Sequence, residues 1–153
     1  MSPNTSFSDL KSLSQKLNQA SDKLNGIIDA VEAEIGSLNL GVEAWVPVAL
    51  SSGHSERVGA EYLNEVSRFG WSKYKGKWQL VVRRELQRSG FWEGDTDCPY
   101  TNIDKIEYVP LKETSREERA TAISQFDELK KQLQTEMERV IAVVEQKNDE
   151  ARF

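Results

Sequence analysis

The stretch GWSKYKGKW, residues 70–78, interleaves two tryptophans and a tyrosine with three lysines. Apolar and polar residues alternate on both sides of Lys75 and Gly76, which is typical of two antiparallel strands joined by a tight turn. A two-residue turn at these positions places Trp71 opposite Leu80. Both tryptophans then lie on the same face of the hairpin as the large apolar residues of the flanking strands. This face is predicted to enter the core.

The chemistry of the turn leaves a second register open. A three-residue loop that ends in a left-handed glycine shifts the pairing by one residue and separates Trp71 from Trp78. This loop suits Lys75 better, because positive φ is unfavourable for a residue with a Cβ. The hydrophobic pattern favours the two-residue turn, since burial of two tryptophans outweighs a turn preference of about 1–2 kcal/mol.

The solvent-facing side of this hairpin is rich in basic residues. Residues 51–90 carry eight basic and four acidic side chains, whereas the whole chain has a net charge of −5. Such charges either protect a sheet from edge-to-edge pairing or bind the phosphates of a nucleic acid or another polyanion, with tyrosine as a stacking platform. The acidic flanks repel a polyanion and favour the first interpretation. The candidate anion-binding residues are Arg68, Lys73, Tyr74, Lys75, Lys77, Arg83, Arg84 and Arg88.

Other stretches between residues 40 and 110 also alternate with period two. Pro47 cannot donate to a strand ladder, so the stretch that contains it is predicted to be an edge strand. Residues 51–59, SSGHSERVG, are predicted to form a loop, and residues 89–102 an irregular connection. Sequential strands with short links predict a four-stranded antiparallel meander. Its strands are residues 40–48, 61–74, 77–87 and 103–109.

Residues 6–38 follow a heptad pattern that is typical of a coiled-coil helix. Leu10, Leu17, Leu24, Val31 and Leu38 recur every seven residues, and Leu13, Ala20 and Ile27 follow three residues after the first three. Glu34 interrupts the second row and is interpreted as a register device or a helix-end residue. Gly26 is expected to weaken the helix by about 1 kcal/mol without breaking it.

A second helix is predicted over residues 115–147. Ser115 and Glu118 form a capping-box pattern at its start, and apolar residues then recur at spacings of three, four and seven. The stripe consists of Ile123, Phe126, Leu133, Met137, Val140 and Val144, broadened by Leu129 and Ile141.

Together these patterns predict an α+β fold in a single domain, residues 1–153. The two long helices, each about 50 Å at 1.5 Å per residue, are expected to form an antiparallel helical hairpin packed on the sheet. Strands of eight residues span only about 26 Å, so apolar helix surface is left over for a second copy. A homodimer through a four-helix bundle is expected. The predicted oligomer interface contains Leu10, Leu17, Leu24, Val31, Leu133, Met137 and Val140.

The sequence offers little material for catalysis. His54 and Cys98 are the only histidine and the only cysteine, and neither carries a recognised catalytic signature. The acidic run at residues 93–97, EGDTD, lacks the spacing of a calcium loop and is interpreted as solvated. Nucleotide-binding motifs and nucleophile elbows are absent from the sequence. We therefore expect no enzyme activity, no metal and no cofactor.

Two classes of function remain. The first is a non-enzymatic protein-interaction and oligomerisation module that self-associates through its helices and has room for a protein partner. The second is a nucleic-acid-binding or polyanion-binding module that uses the basic sheet face. The chain has neither a secretory pattern at its start nor an apolar run of about 20 residues. A cytoplasmic protein without a membrane association is expected.

Overall fold

The computed structural model describes residues 5–92 and 98–151, which form an α+β fold with an antiparallel sheet. A short 3₁₀ turn, Leu111–Glu113, joins the last strand to the C-terminal helices. The elements are α1 (Phe7–Ser37), β1 (Ala44–Trp45), β2 (Ser51–Val58), β3 (Glu61–Tyr74), β4 (Lys77–Phe91), β5 (Pro99–Pro110), α2 (Arg116–Ser124) and α3 (Phe126–Glu150).

The sheet has five strands in the described part of the chain, in the order β1-β3-β4-β5, with β2 also paired to β3. The prediction of four strands was wrong because residues 51–59 are not a loop. They supply β2, which pairs antiparallel with β3 from Ser51 opposite Ser67 to Val58 opposite Glu61. An exposed edge strand made of polar residues has no apolar alternation, so its composition resembled that of a loop.

Two other strand boundaries also differ from the prediction. The first strand is reduced to Ala44–Trp45, because Pro47 cannot continue the ladder. At the other edge β4 runs on to Phe91 and β5 begins at Pro99, so much of the predicted irregular connection is strand. The acidic run at residues 93–97 lies outside the described residues.

The central hairpin has the register that the hydrophobic pattern predicted. Trp71 pairs with Leu80, and both turn residues have positive φ, 48° at Lys75 and 81° at Gly76. This is the two-residue turn whose twist matches that of the strands. Trp71 is 2% exposed, and its ring stacks on that of Trp78 with centroids 6.5 Å apart. The burial of these rings offsets the strain at the lysine.

Helix α1 runs without a break from Phe7 to Ser37, through Gly26. A capping box that the sequence prediction missed starts the helix: the Asp9 N–H donates to the Ser6 hydroxyl, and the Asp9 carboxylate accepts from the Ser6 backbone. The helix ends where Asn39 takes a left-handed conformation, with φ of 48°.

The C-terminal helix is divided at Gln125 into α2 and α3, whereas the sequence predicted one helix. Two hydroxyl groups bond back to the backbone just before the division. The Thr121 hydroxyl donates to the Glu117 carbonyl at 2.9 Å, and the Ser124 hydroxyl donates to the Thr121 carbonyl at 2.5 Å. Such bonds compete with the helical ladder and bend helices. The predicted N-cap is confirmed, since Ser115 accepts from the Glu118 N–H.

The contacts between α1 and the C-terminal helices differ from an antiparallel hairpin. Arg116 donates to Ser21 and Arg119 donates to Asn25, so the contacts advance in the same direction along both helices. The helices therefore run parallel where they meet. The reason lies in β5, which delivers the chain to Lys112. This lysine pairs with Asp29 at 2.8 Å, eight residues before the last residue of α1.

The core lies between the inner face of the sheet and the three helices. Glu32 of α1 enters this layer and accepts from the Leu80 N–H at 3.0 Å, at the point where β5 ends beside β4. The largest side chains with less than 2% exposure are Phe69, Ile28, Leu80, Leu111, Leu129, Val46 and Val82 in this core, and Val81 outside it.

Candidate functional site

Helix α1 carries two stripes of mainly apolar residues, and one of them is buried in the fold. Ser21, Ile28 and Ile35 recur every seven residues and are buried. The heptad residues predicted as a coiled-coil seam lie on a neighbouring face. There Leu13 is 58% exposed and Ile27 is 45% exposed. We call this second stripe the α1 seam; it consists of Leu10, Leu13, Leu17, Ala20, Leu24, Ile27, Val31 and Leu38.

The first part of α1 projects beyond the rest of the molecule. Every residue from 7 to 20 is exposed, and these 14 residues span about 20 Å. We call this segment the α1 extension. Its first residue, Phe7, is 90% exposed. An isolated helix of this length is marginal in water, so the extension depends on the anchored part of α1 and on the Ser6 cap.

The predicted oligomer-interface residues do not form one surface in the single chain. Leu10 and Leu17 lie exposed on the α1 extension, and Leu24 and Val31 are half-buried further along α1. The three interface residues predicted on the second helix lie on α3, near the C-terminal end of α1 and far from the α1 extension. Of these, Leu133 is buried, and Met137 and Val140 are half-buried.

A groove opens where the α1 seam meets α2. It has a volume of about 560 Å³ and lies between about two turns of α1 and the start of α2. Ser21 lies at its floor, donates to the Leu17 carbonyl at 3.0 Å and accepts from Arg116 at 2.7 Å. The lining residues are Leu17, Ala20, Ser21, Leu24, Thr114, Ser115, Arg116, Glu117, Arg119 and Ala120.

On the outer face of the sheet, two of the predicted anion-binding arginines are bound to a carboxylate. Glu85 is 3% exposed and lies 3.3 Å from Arg68 and 2.9 Å from Arg83. Burial disfavours the charged form of Glu85. The hydrogen bond from Gln87 and the charges of the two arginines outweigh burial and lower the pKa of the carboxyl below its usual value. The carboxylate engages both guanidinium groups and cancels one of their two positive charges.

The other two arginines in the candidate set are also paired. Arg88 lies 2.8 Å from Asp104, and Arg84 lies 3.1 Å from Glu118 of α2. Arg84 points to the helix side of the sheet, because it lies opposite Ser67 on the inward face. The predicted basic face is therefore divided among separate ion pairs.

The lysines of the hairpin tip are placed differently. Within the described residues, no carboxylate lies within 4.0 Å of Lys73, Lys75 or Lys77. The Lys75 ammonium lies over the Tyr74 ring, 5.4 Å from its centroid. Four of the predicted anion-binding residues thus remain together at the end of the hairpin.

Sequence reasoning missed the role of Trp45. Its ring crosses β3 at Gly70, where an added Cβ would lie 2.5 Å from the indole. The ring then meets Arg83, whose guanidinium carbon is 4.7 Å from the ring centroid, and Tyr108 at 6.1 Å. The glycine between two large residues in FGW was the available signal, since a glycine inside a strand often marks a close approach.

The residues considered for catalysis show no assembled site. Cys98 is exposed, and the side chain of His54 lies outside the described structure. Among residues 5–92 and 98–151, no group of three His, Cys, Asp or Glu side chains converges as metal ligands would. In the same ranges, none of the helices combines the length and the apolar character needed to cross a membrane. Comparisons with protein-family models, with curated proteins and with solved structures found no match.

Proposed function

We propose that this protein is a non-enzymatic interaction module that self-associates through the α1 seam, with a dimer as the favoured state. The observation that carries the proposal is the exposure of the seam leucines over the α1 extension. A regular heptad of leucines is the pattern that two helices need to pack against each other. In the single chain these leucines face water. A second copy of the chain carries the same seam and is always present in solution.

The energetics of the extension support the same proposal. Burial of a leucine contributes about 1.5–3 kcal/mol relative to exposure. Burial of the three exposed seam leucines against a partner would therefore stabilise the complex by several times this amount. The seam also continues without a break into the body, through half-buried Leu24 to exposed Ile27. A partner helix would therefore contact both the α1 extension and the part of α1 that is anchored in the body.

A matched pair of substitutions on the extension tests the proposal. Leu13→Asp places a charge in the seam, whereas Gln15→Asp places the same charge on the opposite side of α1. Size-exclusion chromatography with light scattering should give a dimer for the wild type and for Gln15→Asp, and a folded monomer for Leu13→Asp. Two monomeric or two dimeric variants would exclude the seam as the contact. Circular dichroism of each variant separates dissociation from unfolding.

A second candidate function rests on the hairpin tip. Tyr74 and Lys77 share the outer face of the hairpin tip and Lys75 lies over the Tyr74 ring, whereas Lys73 lies on the other face. A ring flanked by two lysines suits a stacked base and a phosphate backbone. The test is fluorescence anisotropy with a labelled single-stranded oligonucleotide at low and high salt. Binding that is lost in high salt and in the triple lysine-to-glutamine variant, but kept in Lys130→Gln/Lys131→Gln, would support this function. An absence of binding at low salt would remove it.

A further inference from the structure

Two copies of the α1 seam can meet in parallel or in antiparallel orientation, and the charges beside the seam distinguish the two. We propose that the α1 extensions pair antiparallel, so that Phe7 of each copy occupies the groove between α1 and α2 of the other. This inference rests on the proposed self-association and names its geometry. The partner surface is thus the groove of about 560 Å³ that the single chain leaves open.

The heptad fixes which residues meet in an antiparallel pair. In this orientation each residue of one seam row packs beside a residue of the other row on the partner helix. With the pair centred near Gln15, Leu17 lies beside Leu13 of the second copy and Leu10 lies beside its Ala20. The contact then extends over residues 7–23. The two bodies, which begin near Ser21, lie at opposite ends of the paired helices and do not meet.

The charged residues that flank the seam favour this alignment. Asp9 and Lys23 both precede a seam leucine by one residue, and in the antiparallel pair each Asp9 lies opposite Lys23 of the second copy. The symmetry gives two such ion pairs against one contact between the two copies of Lys16. A shift by one heptad towards the bodies instead places Lys16 opposite Lys23 twice. A shift the other way places Ser6 opposite Leu17 and reduces the apolar contact.

A parallel pair lacks these interactions. It places Asp9 opposite Ser14 and Lys16 opposite Ser21, so no opposite charges meet. It also brings the two copies of Glu34 together in the seam, and like charges at such positions oppose association. The parallel arrangement further requires full access to Leu24 and Val31, which α2 and α3 already cover in part.

The groove accounts for the most exposed aromatic residue of the described part of the chain. Phe7 is 90% exposed in the single molecule, and in the antiparallel pair it lies opposite Ser21, the residue at the floor of the groove. The apolar lining from Leu17, Ala20 and Leu24 suits an aromatic ring. Ser115 and Arg116, at the start of α2, line the other side. Each dimer would contain two such contacts, related by the twofold axis.

The test combines a charge reversal with a crosslink, both in the full chain. Lys23→Glu places like charges opposite Asp9 and should raise the dimer Kd by tenfold or more. Lys11→Glu, which changes the same charge away from the seam, should leave Kd within about twofold. In a Cys98→Ser background, Lys16→Cys should be joined to itself by a short bis-maleimide. Leu10→Cys is the control, because its two copies meet in a parallel pair and lie about 15 Å apart along the helix axis in the antiparallel pair.

The outcomes separate this inference from the proposed function. Efficient crosslinking at Lys16→Cys together with the weaker dimer of Lys23→Glu supports the antiparallel pair, and Phe7→Ala should then weaken it by at least fivefold. A dimer that crosslinks at Leu10→Cys and is indifferent to Lys23→Glu overturns the antiparallel geometry but leaves self-association intact. A wild-type monomer at every concentration overturns both.

Discussion

Leu13 and Ile28 belong to the same helix, yet Ile28 is completely buried against the sheet whereas Leu13 is 58% exposed. The two residues lie on different stripes of α1. The stripe of Ile28 stabilises the fold, whereas the stripe of Leu13 is exposed over the α1 extension. A coiled-coil pattern in the sequence therefore does not report the internal packing of this helix, and substitutions on the two stripes should have different consequences.

Trp71→Ala is expected to destabilise the protein by about 3–5 kcal/mol, as large-to-small changes in a core do. Trp71 is 2% exposed and packs on Trp78 and beneath α1. The free energy of unfolding from urea denaturation checks this value. Trp92→Ala removes a tryptophan that is 63% exposed and should cost less than half as much. Equal losses for the two variants would contradict the placement of Trp71 in the core.

Gly70→Ala is expected to destabilise the protein by at least about 1–3 kcal/mol, the usual range for overpacking. The new Cβ would meet the Ala44 carbonyl and the Trp45 ring, so β1 must move away from β3. Thermal unfolding and the near-ultraviolet circular dichroism of Trp45 measure the effect.

Gly26→Ala provides the opposite control. Gly26 lies in α1 with no atom within 4 Å of the position of an added Cβ, and alanine is the better helix former. This variant should gain up to about 1 kcal/mol. A loss of stability at Gly26 or a gain at Gly70 would contradict the packing of the two glycines.

Glu85→Gln should lower stability at neutral pH by about 2 kcal/mol, because Arg68 and Arg83 lose their charged partner. The pKa of Glu85 is lower in the folded protein than in the unfolded chain. Its stabilisation is therefore present above the usual carboxyl pKa, about 4.3, and is lost as the pH falls through the folded-state value. Denaturation between pH 7 and pH 3 should show a smaller acid loss in Glu85→Gln than in the wild type or in Glu107→Gln.

Glu32→Ala should cost about 1–3 kcal/mol, since the Leu80 N–H loses its acceptor in a partly buried position. Hydrogen exchange of the Leu80 amide measures the same change at one site and should become faster in the variant. Glu34→Ala, at an exposed position on the same helix, should leave this amide protected. Unchanged exchange at Leu80 in Glu32→Ala would show that the bond does not contribute.

The features that were predictable from the sequence are those with a strong local cause. The alternation around Trp71 fixed the register of the hairpin, and the heptads and Ser115 located the helices. β2 escaped prediction because its residues are mostly polar and show no apolar alternation. The parallel orientation of α1 and α2 was not predicted either. It depends on the position at which the chain leaves β5, where Lys112 pairs with Asp29. The periodicity of a sequence carries no information on such a tertiary contact.

The candidate surfaces show the same limit. Tyr74, Lys75 and Lys77 were predicted together at the hairpin tip and lie together there, whereas Lys73 is on the opposite face. The arginines of that set are separated by Glu85, Asp104 and Glu118, and only the fold brings these carboxylates to them. Likewise, the heptad located the α1 seam, but its exposure could not be read from the pattern. A seam that packs inside the chain and one that faces water have the same spacing.

The most direct test of the central claim is sedimentation equilibrium of the wild-type chain over a hundredfold range of concentration. Self-association through the α1 seam predicts a mass that approaches about 35 kDa, twice the 17.4 kDa of the chain, and that falls with dilution. A mass of 17.4 kDa at every concentration would contradict the account. The exposed leucines of α1 would then need a different partner.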